Sequence, residues 1–496
     1  MALSCGPQGG AVAGQRAQDG LLGLGVSALT AAWLATMWPL MSAPPATRDA
    51  LLWIGRGAGP GWLSWALGTP HFVGYRPLAA LSYTANAATL GISAQSFRGV
   101  DLGLFVCAGL LLAALARRWF GALPALLAVT IYFLHPAGEE IVVDVARRSY
   151  TLSAVLLLCG LLSLRRRWLS AALLGGAILC NEMALVPAAL APLLLAWRHP
   201  DRRWQDGWPT LTAIGGLGAL RLLVLRGGGG YGSRSVVMPW AEGGPLSDAL
   251  PVLQVLQAAA AGPYQLLMPV AGDGQRAALW SSAAAVLLAI GAARALWRDG
   301  AGGLLLAWSL GHVLLAAVAV TWFWRMAYLP LLPLCLAAAL IAQRKDRLAL
   351  VAVGLLSLGM LTRSPLVTGA RPDVETLVRH GTLIEALEEQ AALRSPGDVI
   401  WLVLPYTRHR ARATQRWLTL RQLDRVFVLA AHLESPLDPI IEERAARAGT
   451  VKIHEDAVLG EEAAVIVGAR VVSAETLPAG VSLVWVTGDE GLRWLP

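Results

Sequence analysis

Within fourteen residues this chain gathers three carboxylates, two guanidiniums and an imidazole, in the string His135-Pro136-Ala137-Gly138-Glu139-Glu140-Ile141-Val142-Val143-Asp144-Val145-Ala146-Arg147-Arg148. Apolar runs flank it, 123–134 before and 151–164 after. Ionisable groups at membrane depth are costly and by default mark a functional site. A carboxylate such as Glu140 can orient or deprotonate an attacking hydroxyl. An arginine such as Arg148 can grip two phosphate oxygens with its planar fork. The same string also reads as a solvated turn, with Glu139 in support and Glu140 ion-paired to Arg147 or Arg148.

Other candidates are scattered along the chain. Asp49 lies just beyond the first apolar run, next to Arg48, and is placed to act as a general base or as an interfacial acid. Arg76 stands between Tyr75 and Pro77, where it either closes a loop over a ligand or fixes that loop by bonding carbonyls. Glu182 follows Asn181 in a break between apolar runs, and freed backbone groups there are an alternative occupation to chemistry. Arg325, preceded by Trp322 and Trp324, suits phosphate binding or an aromatic-belt anchor. Arg234 follows the glycines 227–230 and Tyr231. His135 ends an apolar run beside Pro136 and is expected to cap that helix.

The elements that must position these groups follow from composition. Of 496 residues, 56% are hydrophobic and 15% charged, whereas a soluble domain carries roughly 25% charged residues. Spanning-length apolar stretches recur through the first three quarters, which makes the expected fold class a polytopic α-helical membrane protein. The net charge of +8 comes largely from arginines in short loops between spans, where they set topology. It is no nucleic-acid signal. The five cysteines show neither a disulfide pattern nor metal spacing, since Cys107, Cys159, Cys180 and Cys335 fall inside apolar runs. A divalent metal is compatible with the acids but nothing requires one, so the cofactor stays unassigned. The first apolar run reads as a retained span.

Spans are expected at about 21–41, 100–116, 122–135, 150–164, 168–180, 183–197, 208–225, 277–296, 302–322, 326–343 and 347–362, roughly eleven in all. Basic clusters then share one side: Arg117-Arg118, Arg165 to Arg167, Arg198 with Arg202-Arg203, Arg294 with Arg298, and Arg344-Lys345. The positive-inside rule makes that side cytoplasmic, with the N-terminus inside and the C-terminal segment outside, as in a bacterial inner membrane. One long kinked helix over 168–197 would invert the later spans, so a break near Asn181-Glu182 is expected. Two long outer loops follow, 42–99 with amphipathic tryptophan-bearing segments and 226–276. A membrane domain covers 1–362. Alternating charged helices and β-type runs over 363–496 suggest a small extracytoplasmic α/β domain, with strands at 399–404, 426–429, 464–473 and 482–487.

Four strings in order carry a family resemblance: Tyr75-Arg76-Pro77-Leu78; His135-Pro136 with Glu140 and Arg148; Asn181-Glu182; and Arg325-Met326-Ala327-Tyr328-Leu329-Pro330. In these the chain resembles the multispan glycosyltransferases of the GT-C fold, in the branch of the transmembrane and tetratricopeptide O-mannosyltransferases and their bacterial relatives. It departs from that pattern at Arg48-Asp49, where the family has two adjacent acids, at Trp324 in place of an acid, and at Arg98 and Asp101 in place of a His and an Asn. The resemblance implies inverting transfer of a sugar from a polyprenyl-phosphate carrier to a protein, glycan or lipid acceptor on the outer face. Asp49 would be the base, with Glu140 beside it, and Arg76, Arg148, Arg234, Arg325 and Tyr328 would contact the donor. A lipid or glycan flippase and a non-catalytic envelope-assembly subunit are the rival classes.

Overall fold

The protein is described by a computed structural model covering residues 8–41, 43, 48–68, 75–225, 300–318 and 327–345, the strands after residue 398 and a few single positions. Thirteen helices run through the described part before the strands. They are α1 Gln8–Met37, α2 Arg48–Ala58, α3 Trp62–Gly68, α4 Pro77–Leu90, α5 Ala94–Phe120, α6 Ala122–Leu134 and α7 Ala137–Val143. After these come α8 Arg148–Leu162, α9 Arg167–Cys180, α10 Leu185–Arg198, α11 Trp208–Leu225, α12 Gly300–Val318 and α13 Tyr328–Arg344.

Local chemistry sets several boundaries. Pro77 opens α4 at a position where its missing N–H costs nothing. Gly121 separates α5 from α6 with φ 99°, a conformation that a side chain would strain, while its N–H reaches the Arg117 carbonyl at 3.0 Å. Pro136 follows α6, and the chain bends by 54° into α7. The expected hairpin around 135–148 is therefore a bent pair of helices followed by a 3-10 turn, Val145–Arg147.

Over the described residues three helical stretches are long and apolar enough to cross a membrane: Gln15–Met41, Ala94–Phe120 and Val145–Leu162. The bent pair α6–α7 makes a fourth if it counts as one span. This is fewer than the eleven expected from the apolar runs. Helices α9 and α10 have 14 residues each and α13 has 17, or about 21–26 Å of rise against a hydrocarbon core near 30 Å. The expected span 277–296 and nearly all of 347–362 lie outside the described residues.

Hydrogen bonds fix the direction of the central helices. Ser170 donates to the Gly160 carbonyl and Ser153 to the Ala177 carbonyl, both at 2.9 Å, so α8 and α9 lie antiparallel. The Arg198 guanidinium then donates to the Arg118 carbonyl at 2.5 Å, which brings the end of α10 back to the end of α5. Helices α9 and α10 thus run out and back, and the break at Asn181 is a turn rather than a kink. At the same end Arg118 donates to the Leu162 carbonyl at 2.6 Å and Arg117 clasps Asp19 at 2.8 and 2.7 Å. The arginine-rich turns gather there, and the described candidate residues lie at the other end.

Helix α6 sits centrally, packed by α1, α5 and α13. Its neighbours supply a stack of rings, Trp33 on Phe105 at 4.2 Å and Phe105 on Tyr132 at 4.8 Å. Gly138 is required beside it, because a Cβ there would stand 2.7 Å from the Phe105 ring.

The described strands are β1 Val399–Leu404, β2 Val426–Ala430, β3 Thr450–Ile453, β4 Ala464–Val467, β5 Arg470–Ser473, β6 Val481–Thr487 and β7 Gly491–Trp494. They form a four-stranded sheet of order β2-β1-β6-β7 and a three-stranded sheet β3-β4-β5. β1 pairs in parallel with β2 and with β6, Trp401 opposite Phe427 and Leu483, and β7 returns antiparallel on β6. The run expected over 464–473 is two strands turned on each other, Val465 opposite Val472. The helices expected at about 374–393, 408–420 and 438–448 lie outside the described residues but for single positions.

Candidate functional site

The site end is organised by the first turns of α5. Ser93 accepts the Ser96 N–H at 3.0 Å, and the Ser96 hydroxyl accepts the Ser93 N–H at 3.3 Å. This reciprocal cap fixes the helix start and sets Arg98 and Asp101 one turn apart on the same face. Both are buried. Arg98 reaches the Ala43 and Val142 carbonyls at 3.2 Å each and also the Val143 carbonyl. The last two are orphan acceptors at the C-terminus of α7, where a cation is also favoured by the helix dipole.

Arg148 enters the same region from α8 with none of its surface exposed. Its Nε bonds Asp101 Oδ1 at 2.5 Å, Nη1 the Ser82 carbonyl at 3.3 Å and Nη2 the Phe97 carbonyl at 3.1 Å. The guanidinium also lies 4.5 Å from the Tyr83 ring centre and 5.3 Å from that of Phe97. The phosphate contact expected of Arg148 is therefore replaced by a structural one, since a phosphate would have to displace Asp101. An ion pair of Glu140 with Arg147 or Arg148 was one alternative; Arg148 pairs with Asp101, and Arg147 with Asp144 at 3.0 Å. Asp144 also accepts the Ala146 N–H at 3.0 Å, and Tyr83 donates to the Val145 carbonyl at 2.5 Å. Segment 142–148 is thus fastened to α4 and α5 by three side chains, Arg98, Tyr83 and Arg148.

Glu139 and Glu140 occupy the first turn of α7, Glu139 buried and Glu140 half-buried. His135 does not simply end α6. Its Nδ1 accepts the Ala137 N–H at 3.1 Å and so caps the helix that follows.

Arg76 and Glu182, 106 residues apart, form a two-pronged pair: Nε to Oε2 at 3.0 Å and Nη2 to Oε1 at 2.8 Å. Arg76 ties the start of α4 to the α9–α10 turn, and the backbone freed in that turn is met by Asn181, whose Oδ1 accepts the Met183 N–H at 3.1 Å. The Met183 carbonyl meets Nε2 of His312 from α12 at 2.9 Å. The Arg76–Glu182 pair is partly exposed, its side chains 12% and 28% accessible.

Tyr328 opens α13 and is buried against Tyr132, their hydroxyls 2.6 Å apart. Tyr132 donates its single proton to the Phe105 carbonyl at 2.9 Å, so Tyr328 must be the donor between the two. This packing role stands in place of the expected donor contact. Asp49 lies half-buried in the first turn of α2, a helix that packs on α4 and on the 145–147 turn. It therefore shares the site end with Arg76, Glu140 and Glu182. Arg325 and Arg234 lie outside the described residues. Among the described residues no three His, Cys, Asp or Glu side chains cluster as metal ligands would.

Asp101 and Arg98 are the organising residues that sequence reasoning set aside as departures from a family pattern. The signal was present. Two opposite charges three residues apart in the opening turns of a long apolar helix need partners.

No protein-family model matches the chain, and no curated protein does. The solved structures to which the chain is similar include two of one protein. ArnT from Cupriavidus metallidurans bound to undecaprenyl phosphate is 12% identical, with a TM-score of 0.45 over 83% of this chain and 90% of that one. The same protein in its apo state is 12% identical, with a TM-score of 0.44 over 95% and 93%. At that level of likeness the function must be argued from this chain's own residues.

Proposed function

We propose that the chain is a membrane glycosyltransferase of GT-C type, which moves a sugar from a polyprenyl-phosphate carrier to an acceptor at the outer face. One observation carries the reading. Tyr75-Arg76, His135 to Arg148, Asn181-Glu182 and Ala327-Tyr328 are dispersed over 250 residues of sequence, yet all stand at the bundle end opposite the arginine-rich turns. The positive-inside rule puts those turns in the cytoplasm and the assembled strings outside. A carrier lipid would lay its tail along the bundle and present its phosphate at that outer end.

In this reading Asp49 takes the acceptor proton and Glu140 orients the acceptor. Arg76, Arg325 and Arg234 meet the donor phosphate, whose charge as a leaving group needs cations rather than strong protonation. Arg148, Arg98 and Asp101 hold the floor of the site. Residues 1–362 form the membrane domain, and 363–496 a separate extracytoplasmic α/β domain. The inward commitment of Arg148 and Tyr328 is what a non-catalytic subunit would also show, and the test separates the two.

Purified protein in lipid bilayers is offered a panel of polyprenyl-phosphate sugars, and transfer or hydrolysis is scored. Turnover is expected, and Asp49→Asn lowers it by about 10²–10⁴-fold with donor binding retained. Saturable donor binding without turnover for any sugar would replace the transferase with the assembly-subunit reading.

A further inference from the structure

At the arginine-rich end most guanidiniums are committed inward. Arg117 holds Asp19, Arg118 holds the Leu162 carbonyl, Arg198 holds the Arg118 carbonyl, and Arg165 donates to His199 Nδ1 at 3.3 Å. Arg166, Arg167 and Arg203 are different. All three are exposed and have no ion-pair partner among the described residues. The nearby acids are otherwise engaged, Asp206 by the Arg203 backbone N–H at 3.1 Å and Asp201 by Arg202 at 3.8 Å.

Three exposed tryptophans accompany these arginines. Trp168, directly after Arg167, is 60% exposed; Trp204, directly after Arg203, is 52% exposed; Trp208 is 47% exposed. Trp168 and Trp208 meet edge to face at 5.2 Å, which sets the start of α9, with Arg166 and Arg167, beside the start of α11 and the short turn that Arg203 opens. Burying such rings against protein is the ordinary outcome; leaving three exposed beside uncommitted cations has another physical sense. Tryptophan settles at the depth of lipid headgroups, and arginine there offers its fork to a phosphodiester.

We propose that this patch binds an anionic phospholipid headgroup of the membrane leaflet it faces, with Arg166, Arg167 and Arg203 on the phosphate and Trp168, Trp204 and Trp208 against the glycerol and upper acyl chain. The site is separate from the candidate transfer site and does not depend on the protein being a transferase. Committed and uncommitted arginines thus divide the work: one set closes the bundle end and the other anchors it in lipid of a chosen charge.

The test is native mass spectrometry of the full chain with phosphatidylglycerol or phosphatidylcholine of matched acyl chains. Selective retention of phosphatidylglycerol is expected, weakened roughly fivefold per arginine removed in Arg166→Gln, Arg167→Gln, Arg203→Gln combinations. The corresponding triple lysine variant keeps the preference for anionic lipid, which shows that the glutamine variants fail by charge. Equal retention of the two lipids, or a preference untouched in the triple glutamine variant, overturns the proposal. So does full competition by inorganic phosphate at the same concentration as lipid, because the patch would then recognise a free anion.

Discussion

The two ends of the bundle use arginine in opposite ways. At the site end Arg98 and Arg148 are buried, and each is held by several acceptors contributed by different segments. At the other end Arg118 and Arg198 each donate to one carbonyl at the surface, and neighbours remain uncommitted. The contrast teaches that charge in this protein has two functions. Where it is dry it dictates where loops are held, because an unpaired buried ion is prohibitively costly. Where it is wet it adds little to stability and stays available to partners.

The largest test of that contrast is the Arg148–Asp101 pair. Arg148→Met strips buried Asp101 of the guanidinium bonded to it and is expected to destabilise the chain by about 3–5 kcal/mol, read as thermal unfolding in lipid. Adding Asp101→Leu should recover most of the loss. Arg118→Met at the opposite end is expected to cost only about 0.5–1.5 kcal/mol. Equal costs for Arg148→Met and Arg118→Met would erase the distinction between the ends.

A smaller effect sharpens the account of the buried end. Tyr132→Phe leaves the Tyr328 hydroxyl without its acceptor and removes the second bond to the Phe105 carbonyl, for about 1–3 kcal/mol. Tyr328→Phe leaves Tyr132 donating to Phe105 and should cost about 1 kcal/mol or less. A reversed order in unfolding measurements would mean that the proton runs from Tyr132 to Tyr328.

The smallest effect belongs to the wet end. Burial, then the charges of Arg165 and Arg118, push the His199 imidazole below its ordinary value of 6.5. Protonation therefore favours the unfolded chain. This stabilisation is complete above about pH 6.5 and is lost as pH falls through the lowered folded value. His199→Asn should flatten that slope in unfolding measured between pH 7 and 5, and an unchanged slope would acquit His199.

Much of the helical plan was legible from the chain. The apolar runs, the proline at 136 and the Asn181 break announce their elements because each acts locally. Composition alone does not fix the number of membrane crossings, because an apolar run of 14 residues has the composition of a span without its length. The site divided along the same line. His135 and Asn181 cap backbone close to themselves, and their role follows from neighbours in sequence. For Arg148 the nearby Glu140 was one local alternative, but the packing of α5 on α8 supplies Asp101 from 47 residues away. Glu182 finds Arg76 across 106 residues. No local pattern encodes such distances.

The Arg98 and Asp101 arrangement also bears on how the chain enters the bilayer. Synthesis runs from the N-terminus, so α5 is complete before Val142 and Arg148 emerge, 44 and 47 residues behind Arg98 and Asp101 respectively. During that interval Asp101 lacks its final partner, and Arg98 has only the Ala43 carbonyl of its three. Their spacing on one helix face makes them each other's counter-ion at the moment of insertion. When the later segment arrives, Arg148 takes over Asp101 and the carbonyls at the end of α7 take over Arg98. The same two residues thus serve first as a passport through the translocon and afterwards as the seam that closes the bundle behind them.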